Sequence, residues 1–194
     1  MNKDEVLKIF EDAGALLRGH FILSSGLHAD TYLNKALVSR FPEPTQRLGE
    51  ALAHMIREGL KDMPSVVVAP AMGAILFGYE AARAMDLPFL YTEREQGEFT
   101  FRRGFALEPG QKVIVVEDIV STGLSARECV EAVRKAGGVP LAVACLIDRS
   151  GGTAELGVPL LPLLELNIPT YDPDDLPGHL KDLPAVKPGS RGLA

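Results

Sequence analysis

The sequence has no tryptophan and only two cysteines among its 194 residues. Cys129 and Cys145 both lie among apolar neighbours, so we expect two buried free thiols rather than a disulfide. Two cysteines are also too few for a cysteine-rich zinc site. This cysteine usage is typical of a protein that stays in a reducing compartment.

Long apolar runs and surplus positive charge are missing as well. No segment approaches the roughly 18 uninterrupted apolar residues of a membrane span, and the N-terminus lacks the basic start and apolar stretch of a signal peptide. The net charge of -6 disfavours a surface that coats nucleic acid, because neutralising phosphates requires excess lysine and arginine. We therefore expect a cytoplasmic protein with no membrane and no nucleic-acid partner. Neither G-x-x-x-x-G-K-[ST] nor G-x-G-x-x-G follows a strand, so a generic nucleotide-binding module has no support.

The first forty residues predict a small separate unit. Asn2 is a plausible cap for a first helix, whose apolar residues keep helical spacing as far as Leu17. Either Gly14 or Gly19 is expected to end this helix. Two short strands then follow, around residues 21–23 and 31–33, joined by a turn that contains Gly26. We expect these strands to form an antiparallel pair outside the main sheet.

After a second helix that ends near Gly59, short apolar strands alternate with helices. The predicted strands are SVVVAP (65–70), LPFLYT (87–92), KVIVVED (112–118) and PLAVACLIDR (140–149). This alternation predicts an α/β fold with right-handed crossovers and a central parallel sheet flanked by helices. Ligands bind such sheets at the carboxyl ends of the strands, so residues 70–73, 117–125 and 148–149 should share one rim. The C-terminal region predicts a last edge strand and a short helix.

The stretch VIVVEDIVSTGLSA, residues 113–126, joins a buried strand to the start of a helix. Its small residues Ser121, Thr122, Gly123 and Ser125 place backbone N–H groups and hydroxyls at the positive end of the helix dipole, where a phosphate fits. Gly123 permits close approach of the backbone, and Ser125 with Glu128 is expected to form a capping box. Taken alone, such a turn is also typical of a helix cap without a ligand.

Two adjacent acids, Glu117 and Asp118, come directly before this turn. Carboxylates beside a core are costly unless they are neutralised or hydrogen-bonded. The hydroxyls of a sugar supply hydrogen-bond donors, and Mg²⁺ supplies charge. The alternative is a solvated acidic pair that meets Arg127 or Arg149. A phosphorylated sugar with its metal accounts for the acids and the turn together.

At this point the residues carry a family resemblance. VIVVEDIVSTGLS resembles the phosphoribosyl pyrophosphate (PRPP) signature of the type I phosphoribosyltransferases, and GHFILSSGLHADTYLN and LIDRSGG resemble segments of the orotate phosphoribosyltransferases. The likeness runs in order from about residue 2 to residue 170. It implies a Rossmann-like type I phosphoribosyltransferase fold with a small N-terminal hood subdomain and a mobile loop. The implied organisation is one domain, 1–194, made of an acceptor-covering unit (about 1–40), a PRPP-binding α/β core (about 41–170) and a C-terminal tail (about 171–194).

The resemblance also assigns roles to residues. Glu117 and Asp118 would hold the ribose hydroxyls, the 121–125 turn would cradle the 5-phosphate, and Arg149 with Ser121 would bind orotate. The guanidinium fork suits a planar carboxylate. The implied PRPP-binding set is Ala71, Met72, Gly73, Arg94, Glu117, Asp118, Ile119, Val120, Ser121, Thr122, Gly123, Leu124 and Ser125. A strained peptide bond between Ala71 and Met72 in the pyrophosphate turn is implied by the family alone.

The long polar interval 92–110 corresponds to the mobile loop of the family, with its tip at 95–98 and a returning strand within 99–105. Many family members carry lysines and a histidine in this loop, whereas here it has neither. Its cations are Arg94, Arg102 and Arg103, of which Arg94 is expected to be catalytic with Glu117 and Asp118, although which arginine replaces the lysine stays open. Met72 and Ser24 also stand where many members carry lysine.

The resemblance implies Mg²⁺-dependent transfer of a phosphoribosyl group from PRPP to orotate, on the route to UMP. Mg²⁺ would be held by PRPP, through water to Asp118, with no direct protein ligand. A homodimer whose loop crosses to the partner site is implied by the family. Two alternatives stay open: a purine phosphoribosyltransferase, and a regulator that binds PRPP and leaves it intact.

Overall fold

The computed structural model describes residues 1–23 and 25–188. Ser24, which was expected to replace a family lysine, and the last residues of the predicted tail, 189–194, lie outside the described residues. Within them, the N-terminal part contains α1 (Lys3–Asp12), β1 (Leu16–Ile22), β2 (His28–Leu33), α2 (Ala36–Ser39) and α3 (Pro42–Gly59). The remaining elements are β3 (Val66–Pro70), α4 (Ile75–Met85), β4 (Phe89–Glu95), β5 (Glu98–Phe101), β6 (Lys112–Val120), α5 (Leu124–Lys135), β7 (Val139–Asp148), β8 (Leu160–Glu165), α6 (Gly178–Lys181) and β9 (Ala185–Val186).

The main sheet has six strands in the order β5-β4-β3-β6-β7-β8. All neighbours are parallel except β4 and β5, which pair antiparallel. The central strand β6 reads as a continuous apolar run because it is covered on both faces. Ile114 and Val116 pack with α1, α3 and α4, whereas Val113 and Val115 pack with α5. The predicted α/β fold with a central parallel sheet is confirmed.

A second sheet of three strands, β2-β1-β9, forms the N-terminal unit. The predicted antiparallel pair is confirmed as β1 and β2, and β9 from the C-terminal region joins β1 in parallel. His20 is buried here, with its Nε2 2.5 Å from Nδ1 of His28 and its Nδ1 3.0 Å from the carbonyl oxygen of Leu183. These contacts tie the C-terminal region to the N-terminal unit.

The first helix is shorter than its apolar spacing predicted. The capping box of Asn2 and Glu5 is present, but the helix ends at Asp12 because Gly14 adopts a left-handed conformation with φ +66°. Of the two glycines expected to end the helix, Gly14 is the one that does so, and Leu16 and Leu17 therefore lie in β1 opposite Leu33 and Tyr32. None of the helices within the described residues is long and apolar enough to cross a membrane.

The interval 92–110, predicted as a loop, begins as a β-hairpin. Strand β4 continues to Glu95, the chain turns at Gln96 and Gly97, and β5 returns antiparallel from Glu98. Positive φ angles of 51° and 94° at the two turn residues suit a two-residue hairpin connection. The predicted tip at 95–98 is therefore correct, while the returning strand ends at Phe101 rather than near residue 105.

Candidate active site

Three chain segments meet at the carboxyl edge of the main sheet. Strands β3, β6 and β7 run parallel, so the residues that follow each of them lie at the same edge. The backbone N–H of Arg149, after β7, donates to the carbonyl oxygen of Val120 at 2.7 Å. This places the three predicted segments, 70–73, 117–125 and 148–149, on one rim.

The turn after β6 forms a polar pocket at the start of α5. Its lining consists of Glu117, Ile119, Val120, Ser121, Thr122, Gly123, Leu124, Ser125 and Ala126. Gly123 has φ +77°, and a Cβ added there would lie 2.8 Å from Leu156 Cδ2 and 3.0 Å from the Cβ of Ala154. Both the backbone conformation and the packing therefore require glycine.

The cap residue Gly123 offers no side chain to the N-terminus of α5, and the N–H of Leu124 donates to Oγ1 of Thr122 at 3.4 Å. The predicted capping box of Ser125 and Glu128 is wrong. The helix begins at Leu124 with Gly123 as its cap residue, so Ser125 already lies inside the first turn, and Glu128 forms an ion pair with Arg94 instead. Backbone N–H groups at a helix N-terminus favour an anion.

Glu117 and Asp118 are almost fully buried, with exposed fractions of 6% and 1%. Each carboxylate accepts a backbone hydrogen bond: Glu117 Oε1 from the N–H of Asp118 at 3.0 Å, and Asp118 Oδ1 from the N–H of Ile119 at 2.5 Å. Burial, followed by the charge of Asp118, raises the pKa of Glu117 to about 8. Glu117 is thus held largely protonated at neutral pH.

Lys35 forms an ion pair with Oδ2 of Asp118. It follows β2 of the N-terminal unit, and a Cβ added at Gly73 would lie 2.9 Å from both Cε and Nζ of this lysine. A Cβ at Gly73 would also overlap Asp118 Oδ2. Sequence reasoning missed Lys35, because its contact with Asp118 spans more than eighty positions and no local pattern marks it.

The turn after β3 lies against Lys35 and Asp118. The peptide bond between Ala71 and Met72 is cis, at the position where the family implies an unusual bond. The backbone N–H of Ala71 donates to the carbonyl oxygen of Thr92 at 2.8 Å, which anchors the turn to β4. Met72 is 83% exposed, so its side chain takes no part in the core.

Arg149 is half-buried, and its Nε has no hydrogen-bond partner among the described residues. Burial lowers the pKa of its guanidinium, an effect opposed by nearby Tyr32 on β2. A buried, unpaired charged donor is costly unless a ligand supplies the acceptor. The position beneath the N-terminal unit therefore suits a small anion.

The arginines of the hairpin region all pair with glutamates. Arg94 pairs with Glu128, donates to the carbonyl oxygen of Gly97 at 2.6 Å and lies over the ring of Phe99. The other two pairs are Arg103 with Glu93 at 2.8 Å and Arg102 with Glu95 at 3.6 Å. Arg94 is not among the residues that line the pocket at α5, and its catalytic role stays a prediction.

One rim of the parallel sheet carries the buried acids Glu117 and Asp118, the turn of residues 121–125 and the turn of residues 71–73. This arrangement is the architecture of the type I phosphoribosyltransferases. The phosphoribosyl transferase domain family matches residues 42–157. The chain is 59% identical to the orotate phosphoribosyltransferase of Maricaulis maris (strain MCS10), over 100% of both proteins. It is 53% identical to that of Caulobacter vibrioides (strain NA1000 / CB15N), over 100% of this chain and 99% of the relative.

Solved structures agree with the sequence relatives. The orotate phosphoribosyltransferase from Aeropyrum pernix superposes with a TM-score of 0.69 at 26% identity, covering 83% of this chain and 93% of that one. The Mycobacterium tuberculosis H37Rv enzyme in complex with PRPP superposes with a TM-score of 0.64 at 25% identity, covering 84% of this chain and 96% of that one. The chain belongs to the phosphoribosyl transferase domain family and, within it, to the orotate phosphoribosyltransferases.

Proposed function

We propose that this protein transfers the phosphoribosyl group of PRPP to N1 of orotate, giving orotidine 5′-monophosphate and pyrophosphate, in de novo UMP biosynthesis. Membership of the family over the full length supports the reaction. The observation that carries the choice of acceptor is Arg149, whose Nε lacks a partner among the described residues. Orotate has a planar carboxylate that a guanidinium binds through two parallel hydrogen bonds.

PRPP is proposed to lie along the rim with each of its groups at a different segment. The 5-phosphate occupies the pocket of the 121–125 turn, where the N–H groups of α5 face it. The ribose hydroxyls meet Glu117 and Asp118, and the pyrophosphate lies over the backbone of residues 71–73. Ser121 also lines this pocket, and we propose that it contacts orotate as well.

The side chains act by position and charge rather than by covalent chemistry. Positive charge develops on the ribose carbon as pyrophosphate leaves, and carboxylates next to the ribose stabilise it. In the free protein Glu117 is largely protonated because it is buried beside Asp118. Hydrogen bonds from the ribose hydroxyls favour its ionised form, so substrate binding itself would develop the negative charge that the reaction uses.

Mg²⁺ is the proposed cofactor. Across residues 1–23 and 25–188, no group of three or more histidine, cysteine, aspartate or glutamate side chains is arranged to hold a metal ion. Mg²⁺ usually keeps several waters and binds through one or two carboxylates and the phosphates of its substrate, and Asp118 fits as a partner through water. When bound, the ion offsets the charge of the leaving pyrophosphate.

The domain organisation, assembly and location are further parts of the proposal. We propose that residues 1–40 cover the acceptor, that 41–170 bind PRPP, and that the protein is a homodimer whose β4–β5 hairpin crosses to the partner site. Arg94 would then have to exchange Glu128 for a phosphate. A cytoplasmic location is supported by the two free, buried cysteines.

The test is the loss of orotate absorbance on mixing the protein with PRPP and Mg²⁺, run beside uracil, hypoxanthine, adenine and xanthine. The proposal predicts loss with orotate alone. Pyrophosphate release with a purine and none with orotate would assign the protein to the purine alternative. Binding of PRPP without turnover of any base would support the alternative of a regulator that binds PRPP and leaves it intact.

A further inference from the structure

The side chain of Lys35 crosses from the N-terminal unit to the rim of the main sheet. Its ammonium pairs with Asp118, and its last two atoms lie against Gly73. The carboxylate of Asp118 is 1% exposed, whereas the lysine side chain is 40% exposed. The lysine therefore neutralises a buried acid while much of its own side chain stays exposed, where a ligand can reach it.

Little positive charge is available near the turn of residues 70–74 to bind a polyanion such as pyrophosphate. The turn of residues 70–74, PAMGA, has no charged side chain, and the neighbouring side chains of Glu117 and Asp118 are acids. The three arginines of the hairpin region are each engaged by a glutamate. A pyrophosphate over the turn would meet the backbone, two acids and the ammonium of Lys35.

We propose that Lys35 is a substrate-binding residue that neutralises the pyrophosphate group of PRPP, an inference that rests on the proposed function. A lysine ammonium is a point charge on a flexible four-carbon stem with three donors. It therefore contacts Asp118 and a phosphate oxygen together, or turns from one to the other. Turning away from Asp118 releases that carboxylate for the ribose hydroxyls, so binding of the two halves of PRPP is coupled through one side chain.

A purely structural role for Lys35 predicts different behaviour. If the lysine served only to neutralise Asp118, its loss would leave a buried unpaired carboxylate that repels any anion nearby. Its effect on pyrophosphate binding would then vanish once Asp118 no longer carries charge. A double-mutant cycle separates the two roles.

The experiment measures, by isothermal titration calorimetry, the affinity for inorganic pyrophosphate with Mg²⁺ and for orotidine 5′-monophosphate, which has no pyrophosphate. Lys35→Met is compared with Lys35→Arg, each also in an Asp118→Asn background. Lys112→Met is the matched control. Lys112 is exposed to a similar extent, 46%, and like Lys35 it pairs with an aspartate, but its partner Asp62 lies on the surface. Lys35→Gln replaces Lys35→Met if the latter fails to fold.

Lys35→Met should bind pyrophosphate about ten- to a hundredfold more weakly, the usual range for one charge-assisted hydrogen bond. The loss should persist in the Asp118→Asn background, Lys35→Arg should restore most of the affinity, and affinity for the nucleotide should change less than about threefold. An unchanged pyrophosphate affinity, or a loss that disappears with Asp118→Asn, would overturn the inference. Failure of the unaltered protein to consume orotate would overturn the proposed function instead, and the calorimetry would still decide the role of Lys35.

Discussion

Replacing Arg149 by alanine is expected to abolish efficient use of orotate while leaving the fold intact. The side chain is half-buried at the end of β7, and its Nε has no partner among the described residues, so its removal breaks no internal hydrogen bond of that atom. The backbone N–H of the residue, which bonds to Val120, is retained in the variant. The perturbation therefore falls on the ligand.

The magnitude follows from the contacts that the guanidinium would make. One hydrogen bond to a charged group contributes about 1.5–3 kcal/mol, and a fork that engages both carboxylate oxygens reaches the upper part of that range or beyond it. Each 1.4 kcal/mol is a tenfold change. We therefore expect kcat/KM for orotate to fall about a hundredfold or more in Arg149→Ala. Arg149→Lys, which keeps the charge without the fork, should lose about tenfold.

The assay is the initial rate of orotate loss at saturating PRPP, with thermal melting to check the fold. Arg57→Ala is the control, because Arg57 bonds to the carbonyl oxygen of Ala84 near the end of α4, at the edge of the sheet opposite the site. The control should keep the original kcat/KM. A value for Arg149→Ala within about threefold of the unaltered protein would refute the assignment of the carboxylate to this arginine.

Three further predictions concern Glu117, Gly123 in the turn of residues 121–125, and the two cysteine thiols. Burial raises the pKa of Glu117 from its ordinary 4.5 to about 8. Between pH 4.5 and pH 8 the folded state therefore binds more protons than the unfolded state, so the free energy of unfolding falls as the pH rises through this range. Urea unfolding should find Glu117→Gln more stable than the parent at pH 8.5 by about 1–3 kcal/mol. Gly123→Ala should weaken PRPP binding at least about tenfold by calorimetry and cost about 1–2 kcal/mol of stability, because alanine is strained at φ +77° and meets Leu156. Cys129, whose pKa burial raises to about 12, and fully buried Cys145 should not react with a thiol reagent until the protein unfolds.

Each of these expectations has an outcome that contradicts it. A parallel pH dependence of unfolding in Glu117→Gln and the parent would mean that Glu117 ionises normally in the free protein. Unimpaired PRPP binding by Gly123→Ala would place the 5-phosphate elsewhere. Rapid modification of either cysteine in the folded protein would show that its side of the sheet opens to solvent.

The rim could be predicted from sequence because each of its parts is local. An apolar run, two acids and a glycine turn follow one another in residues 113–126, and strand–helix alternation fixes which edge of the sheet they occupy. The two-faced burial of β6 likewise follows from an apolar run without alternation. The rim and the burial of β6 were predictable because the residues that form them are close together in the sequence.

The sequence left questions open or led to errors where two local signals competed or where partners lie far apart. Leu16 and Leu17 continue a helical spacing, but Gly14 ends the helix and pairing with β2 takes them into a strand. Glu128 has the spacing of a capping box, yet Arg94 from another strand binds it. Lys35 reaches Asp118 only after two sheets pack together. Contacts between distant elements leave no mark in the spacing of nearby residues.

The stoichiometry of transfer, measured with PRPP and Mg²⁺ in excess over orotate, decides whether this protein is an orotate phosphoribosyltransferase in solution. We expect pyrophosphate and orotidine 5′-monophosphate each to form in amounts equal to the orotate consumed, and no pyrophosphate to appear before orotate is added. Pyrophosphate release that does not depend on orotate, or intact PRPP bound to the protein in the presence of orotate, would contradict this expectation.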